Sequence, residues 1–200
     1  MKERHFPATS MPDRDWWSEV WPDPAAVLEA SGIGPGQDVV DLCSGDGLFT
    51  APMSALVGEA GGVQAVELLP EMIEAARTEV SAACVPPVRF IQGNAMDLVE
   101  LVDGPVDLVF MANTFHGVPD HTALGRAVHE VLRPGGRFVV VNWWPSERED
   151  TVVLGKPRGP KPSMRFSPDQ LDEWLRPAGL RLERMAEVGQ FHYAAVFVRD

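Results

Sequence analysis

The chain encodes an α/β protein, with a doubly wound, mostly parallel seven-stranded sheet that ends in an antiparallel hairpin. Three features predict this. Five short runs rich in Val, Ile and Phe alternate with segments of helical periodicity. Most of these runs are apolar on both faces, as strands covered by helices on both sides must be. The C-terminal part breaks the alternation with two strand-like runs joined by a tight glycine turn, which reads as a hairpin.

Each element has its own signal. Asp23-Pro24 supplies an N-cap and a first helical residue, and Gly32 closes that helix. The strands are expected at Asp38–Leu42, Val63–Glu67, Val88–Gln92, Val106–Met111 and Arg137–Asn142. Met72, Ala76 and Val80 stack one turn apart behind Pro70. Leu124, Val128 and Leu132 do the same and are stopped by Pro134-Gly135-Gly136. A helix over 168–178 then leads to the hairpin of 180–188 and 191–198, turning at Gly189-Gln190. The whole chain reads as one domain: an N-terminal arm and first helix (1–34), a ligand-binding core (35–145), a substrate-side loop (146–166) and a closing helix with hairpin (167–200).

Bulk properties narrow the partners. The 200 residues carry 17 Lys and Arg against 29 Asp and Glu, a net charge of −12. Binding to polyphosphate surfaces relies on concentrated basic residues, so this balance argues against nucleic acid and against an anionic membrane. The N-terminal MKERHFPATS has no apolar segment of a secretory signal, and no apolar run approaches the roughly 20 residues that span a bilayer. Cys43 and Cys84 are too few for a disulfide framework and lack metal-ligand spacing, so no metal site is expected. A cytoplasmic protein is the expectation.

The most informative stretch is Asp41-Leu42-Cys43-Ser44-Gly45-Asp46-Gly47, which ends the first strand just before a helix expected near Leu48. Ligands of such sheets bind at the carboxyl ends of strands. Gly45 and Gly47 allow positive φ and close approach of a ligand, the helix offers unpaired N–H groups, and Asp46 is placed to cap it. As a bare turn the same residues would also serve. Glu67, ending the second strand, is placed to accept hydrogen bonds from both hydroxyls of a ribose. A dinucleotide fingerprint is missing, because Thr50 stands where the third glycine would be, and the carboxylates of Asp41 and Asp46 would repel a pyrophosphate. A ligand with an ammonium group suits these acids better.

With these residues the chain resembles class I S-adenosylmethionine-dependent methyltransferases, the broad group acting on small molecules. The resemblance covers residues 35–145 by motif and the remainder by order of elements. VVDLCSGDG is similar to the family's D-x-G-x-G-x-G loop, with Cys43 in place of the first glycine. The resemblance implies S-adenosylmethionine as cofactor. It puts Asp41, Cys43, Ser44, Gly45, Asp46 and Gly47 around the methionine end, and Glu67 with Leu68 at the ribose. GNAMDL would bring Asn94, Ala95 and Met96 to the adenine. FMANTFHGVPD resembles the family's strand-four segment ending in L-H-H-x-P-D, which sets Met111 and Ala112 at the cofactor and His116 near the reaction. HEVLRPGGRFVVVNW resembles the segment entering strand five. Cys43 is small enough to be a pocket wall, and no acyl-transfer constellation accompanies its thiol.

The acceptor side is less legible. His116 is a candidate general base, or a histidine that orders its loop or lines the cofactor pocket. His192 and Tyr193 alternate in the last strand, so one of them is expected to face inward, and His5 is placed with a mobile N-terminal lid. Trp16, Trp17 and Trp21 precede the first helix while Trp143 and Trp144 follow the fifth strand. The arm would fold over the mouth as an aromatic, water-poor lid, or simply be anchored by these rings. Lys156, Arg158, Lys161 and Arg165 in the 146–166 loop either receive an anionic substrate or are ordinary solvated residues. Two further functions compete with methyl transfer to a small molecule by positioned in-line displacement. One is a nicotinamide-dependent oxidoreductase. The other is a non-catalytic binder of S-adenosylmethionine or S-adenosylhomocysteine.

Overall fold

The computed structural model of the chain describes residues 14–200, so His5 lies outside the described residues. Two short helices come first, α1 (Arg14–Val20) and α2 (Pro24–Ser31). The alternating part runs β1 (Asp38–Leu42), α3 (Thr50–Val57), β2 (Gly62–Glu67), α4 (Pro70–Ala83), β3 (Val88–Gln92), α5 (Leu98–Leu101), β4 (Val106–Ala112), α6 (His121–Val131) and β5 (Leu132–Trp143). A small hairpin, β6 (Val152–Val153) and β7 (Lys156–Pro157), precedes α7 (Pro168–Leu175) and the closing strands β8 (Leu180–Glu187) and β9 (His192–Arg199). The large sheet has the order β3-β2-β1-β4-β5-β9-β8. Its first five strands are parallel, and β9 pairs antiparallel with both β5 and β8. The chain winds outward from β1 to β3 and then returns to β4 on the other side of β1. The switch point, where helices diverge and leave a crevice, therefore lies at the carboxyl ends of β1 and β4.

The strands alternate between two buried layers. In β4, Val109 and Met111 belong to the layer with Leu42, Val66, Phe115 and Leu124. Leu108 and Phe110 belong to the other, with Val39, Phe49, Met53 and the tryptophans of the N-terminal segment. This doubly covered sheet is why the runs are apolar on both faces. The helix ends follow local chemistry. The Asp23 carboxylate accepts the Ala26 N–H at 3.2 Å and Gly32 closes α2 at φ 93°. Asp120 caps α6 through the Ala123 N–H at 2.9 Å. Ser167 and Gln170 form a reciprocal capping box at α7. At the opposite edge of the sheet from the crevice, Arg133 bridges Asp107 (2.6 Å) and Asp38 (2.8 Å), tying β1, β4 and β5 together.

Three expectations are corrected. Leu132 is not on the last turn of α6 but opens β5, opposite Val106. A register shift follows, so that Pro134, Gly135 and Gly136 bulge within the strand before Arg137 pairs with Leu108. Proline cannot continue the helix and forces its neighbours extended. In α4 the buried stripe is Ile73, Ala76 and Val80, and Met72 turns elsewhere. His192 and Tyr193 are both buried, because both faces of β9 are covered: His192 lies under Trp21 and Trp143, and the Tyr193 hydroxyl donates to the Phe166 carbonyl at 2.6 Å. Among the described residues no helix is long and apolar enough to cross a membrane.

Candidate active site

The loop after β1 bends by three left-handed residues, Cys43 (φ 63°), Gly45 (φ 57°) and Gly47 (φ 87°). Cys43 thus adopts the conformation that favours glycine. The Cys43 and Ser44 N–H groups both donate to the Val66 carbonyl, at 2.8 and 3.1 Å, folding the loop onto β2. Gly47 meets α4 so closely that a Cβ would sit 2.8 Å from the Ala76 Cα. Glu67, 9% exposed, gathers the backbone of both loops. Its Oε2 accepts the Gly45 N–H at 2.9 Å, and its Oε1 accepts those of Leu68 and Leu69 at 2.8 and 3.0 Å. This carboxylate is therefore the organiser of both loops. Asp46 does not cap α3, which begins at Thr50; its Oδ1 accepts the Leu48 N–H at 3.3 Å and closes the turn before the helix.

Thr50, at the position a third glycine would occupy, instead uses its hydroxyl to donate to Asp41 Oδ2 at 2.6 Å. Burial pushes the Asp41 carboxyl up to about 7, against the Thr50 hydrogen bond and with some help from the Glu67 charge. The sign is unfavourable to the empty fold. The folded chain holds this proton more tightly than the unfolded chain, so the stability it contributes at low pH is lost as pH rises through 7. A cation beside Asp41 reverses the balance. Burial, followed by the Glu67 and Asp41 charges, pushes the Cys43 thiol well above the usual thiol range. Cys43 is thus a wall, not a nucleophile.

A cavity of about 660 Å³ opens here, within the range of roughly 300–1,000 Å³ usual for small-molecule sites. Of the residues singled out in the sequence, Asp41, Cys43, Ser44, Gly45, Glu67, Leu68, Asn94, Ala95, Ala112 and His116 line it. Asp46, Gly47, Met96 and Met111 are not in its wall. Asp46 and Gly47 shape the loop from behind, Met96 packs on the adjacent core, and Met111 is fully buried there. The two-faced strand explains Met111: Ala112, one residue on, takes the position at the opening. Trp16, Trp17, Trp21 and Trp143 also line the cavity, stacked with ring centroids 4.4 Å (Trp16–Trp17) and 4.7 Å (Trp17–Trp21) apart. Trp144 turns to the other layer against Tyr193.

Polar atoms without a protein partner concentrate at this cavity. Ser44 Oγ, Asn113 Oδ1, His116 Nδ1 and Trp17 Nε1 are buried, belong to lining residues and make no hydrogen bond with any of the described residues. Buried polar groups are normally satisfied, so such a cluster marks a place built for a polar ligand. Asn113 was not singled out in the sequence. It sits in the left-handed region (φ 55°) just past β4, a conformation that Asn tolerates. Arg148 and Met164 in the loop after β5 were also missed, whereas Arg158 and Lys161 line the cavity. Of the four basic residues noted there, Lys156 is exposed on β7 and Arg165 is buried in the loop itself. Burial holds His116 down to about 4, partly offset by the neighbouring Asn142 amide, so its imidazole is neutral at neutral pH.

A family model described as a methyltransferase domain matches residues 39–136. Over 124 residues the chain is 33% identical to a ubiquinone/menaquinone biosynthesis C-methyltransferase UbiE from a Shewanella species (strain ANA-3), covering 62% of this chain and 49% of the relative. A solved S-adenosylmethionine-dependent methyltransferase from Aquifex aeolicus superposes with a TM-score of 0.79 at 25% identity, covering 96% of this chain and all of that one. Residues 39–136 thus match a methyltransferase domain, and the chain as a whole is similar to the class I S-adenosylmethionine-dependent methyltransferases. S-adenosylmethionine is accordingly its cofactor, and the seven-stranded sheet with a reversed strand pair is this methyltransferase fold. The magnesium protoporphyrin IX methyltransferase ChlM from Synechocystis, solved with bound S-adenosylhomocysteine, shares the fold alone at 14% identity (TM-score 0.68, covering 94% and 85%). The nicotinamide alternative gains no support from these relatives. The chain spans about half the length of the curated relatives it matches.

The environment of the two thiols predicts their chemistry. Iodoacetamide at pH 8, read by peptide mass mapping, should label the exposed Cys84 and leave Cys43 at least about a hundredfold slower, because desolvation and the neighbouring carboxylates deny it the thiolate. Fast labelling of Cys43 would contradict the buried, anion-flanked thiol.

Proposed function

We propose that the protein transfers a methyl group from S-adenosylmethionine to a small-molecule acceptor by in-line displacement in the aromatic cavity. The observation that carries this reading is the set of unpartnered polar atoms, Ser44 Oγ, Asn113 Oδ1, His116 Nδ1 and Trp17 Nε1, around one cavity at the β1–β4 switch point. S-adenosylmethionine supplies a methyl group already activated by its sulfonium. The residues have only to bind, orient and exclude water, and such positioning is worth about 7–11 kcal/mol in favourable systems.

In this reading Asp41 and Asn113 Oδ1 accept from the donor's ammonium, with Ser44 and the Gly45 backbone beside them. Glu67 takes a ribose hydroxyl on a lone pair left over from its three backbone partners, next to Leu68. Asn94 and Ala95 flank the adenine. Asp46, Gly47, Met96 and Met111 support this wall from behind. Trp16, Trp17 and Trp21 close the cavity and present aromatic faces that favour a cationic sulfonium. His116, neutral and unpartnered at Nδ1, orients the acceptor through a hydrogen bond; a group held near 4 is too weak a base to keep a proton at neutral pH. The UbiE relatives are carbon methyltransferases by name, and an aromatic wall suits a ring-bearing acceptor of that kind. A cytoplasmic location belongs to the same reading.

Calorimetric titration with S-adenosylmethionine, S-adenosylhomocysteine and NADH tests it. Micromolar binding of both adenosyl ligands and none of NADH is expected, and binding of NADH alone would overturn the reading. His116→Ala should leave S-adenosylhomocysteine affinity within about twofold, since its role is on the acceptor side. A loss of about tenfold or more would move His116 into the donor wall.

A further inference from the structure

The loop between β5 and α7 is built around a buried arginine whose hydrogen-bond acceptors among the described residues are all neutral, with the charges of Glu147, Glu149 and Asp150 nearby. Arg165, 3% exposed, donates to the Pro160 carbonyl (3.1 Å), Ser146 Oγ (2.7 Å), Thr151 Oγ1 (2.9 Å) and the Arg158 carbonyl (3.1 Å). Its guanidinium lies 5.1 Å from the Trp143 ring centroid. The Arg158 N–H is itself tied to the Thr151 carbonyl at 2.9 Å. Gly159, at φ 85°, passes so close over Trp143 that a Cβ would lie 3.0 Å from both that ring and Arg165 Nη2. The backbone of 158–160 is thus clamped onto the cavity roof.

The clamp sets three more cations in the cavity wall: Arg148, Arg158 and Lys161. Arg158 stacks over Trp16 at 5.4 Å, and its Nε is buried without a partner among the described residues. Among the described residues none of the three makes an ion pair, in a chain with 29 acids to 17 bases. Unpaired guanidinium groups beside an aromatic wall, on a rigidly held loop, form a receptor for a planar oxyanion attached to an apolar body. The cavity therefore has opposite signs on its elements, with Asp41 and Glu67 on the β1 and β2 side and the basic residues on the loop after β5.

We infer that the methyl acceptor is an anionic aromatic molecule, its carboxylate or similar oxyanion held by Arg148, Arg158 and Lys161 while its ring lies against Trp16, Trp143 and Met164. This rests on the methyl-transfer reading above. The one other anion such a site would meet is the donor's own carboxylate, and the experiment separates the two. Tryptophan fluorescence of protein saturated with S-adenosylhomocysteine is titrated with 2-naphthoate and its neutral counterpart 2-naphthamide, and with benzoate and benzamide for a smaller body. The acid of at least one pair should bind about tenfold more tightly than its amide, as expected for a charge-assisted pair. In the Arg158→Met/Lys161→Met double variant the preference should fall below about twofold, with S-adenosylhomocysteine affinity, and hence the folded site, unchanged. If neither acid binds better than its amide, or if the variant loses S-adenosylhomocysteine affinity instead, the inference is wrong. Failure of the unaltered protein to bind S-adenosylhomocysteine at all would strike at the methyl-transfer reading and not at the anion site.

Discussion

One carboxylate holds the two loops at the carboxyl ends of β1 and β2 together. Glu67 accepts three backbone N–H groups from two loops, those of Gly45, Leu68 and Leu69. Without it the glycine-rich loop would leave those donors unsatisfied in a buried place, at a cost of about 1–3 kcal/mol each. The same carboxylate adds to the field that keeps Asp41 protonated near neutrality, and Thr50 is the one hydroxyl that eases Asp41. Two acids are therefore concentrated at the ends of β1 and β2 in a wall that favours a cation. The loop is ready before any ligand arrives, which is the condition for positioning to act on rate.

The second half of the cavity comes from elements outside the alternating core. The N-terminal helix α1 contributes a stack of tryptophans, and the loop after β5 contributes a roof pinned by Arg165 to Trp143. These segments are the natural carriers of acceptor choice, because loops at strand ends can change without disturbing the sheet. The cavity they complete has an aromatic middle, with acids on one set of elements and bases on another. In the proposed reaction such polarity would order two ligands with respect to each other, donor against the acids and acceptor against the bases.

Most of the fold was legible from local chemistry. Short runs rich in Val, Ile and Phe, together with Asp23-Pro24 and Gly32, marked strands and helix ends close to where they stand, since those signals depend on neighbours in sequence. Leu132 did not follow its helical spacing, because Pro134 forces the preceding residues extended. His192 and Tyr193 are both buried for a reason no strand pattern holds: helices and loops distant in sequence cover both faces of β9. In the site, the residues named from the loop and strand ends mostly line the cavity, while Met111 points the other way by simple strand alternation. Asn113 went unnoticed although its place just past a strand, in a left-handed turn, is one that Asn fills readily. Arg148, and the inward placement of Arg158 and Lys161, depend on the clamp around Arg165, which only tertiary packing reveals.

In the proposed reaction Asp41, protonated in the empty site, becomes ionised against the ammonium of the bound donor. Titration calorimetry with S-adenosylhomocysteine at pH 6, repeated in buffers of different ionisation enthalpy, counts the protons exchanged. With Asp41 near 7 in the empty site, binding should release close to one proton (~0.9) and affinity should weaken as pH falls below 7. The Asp41→Asn variant should bind more weakly and release none. Binding without proton release, or the same release from the variant, would contradict this ionisation of Asp41.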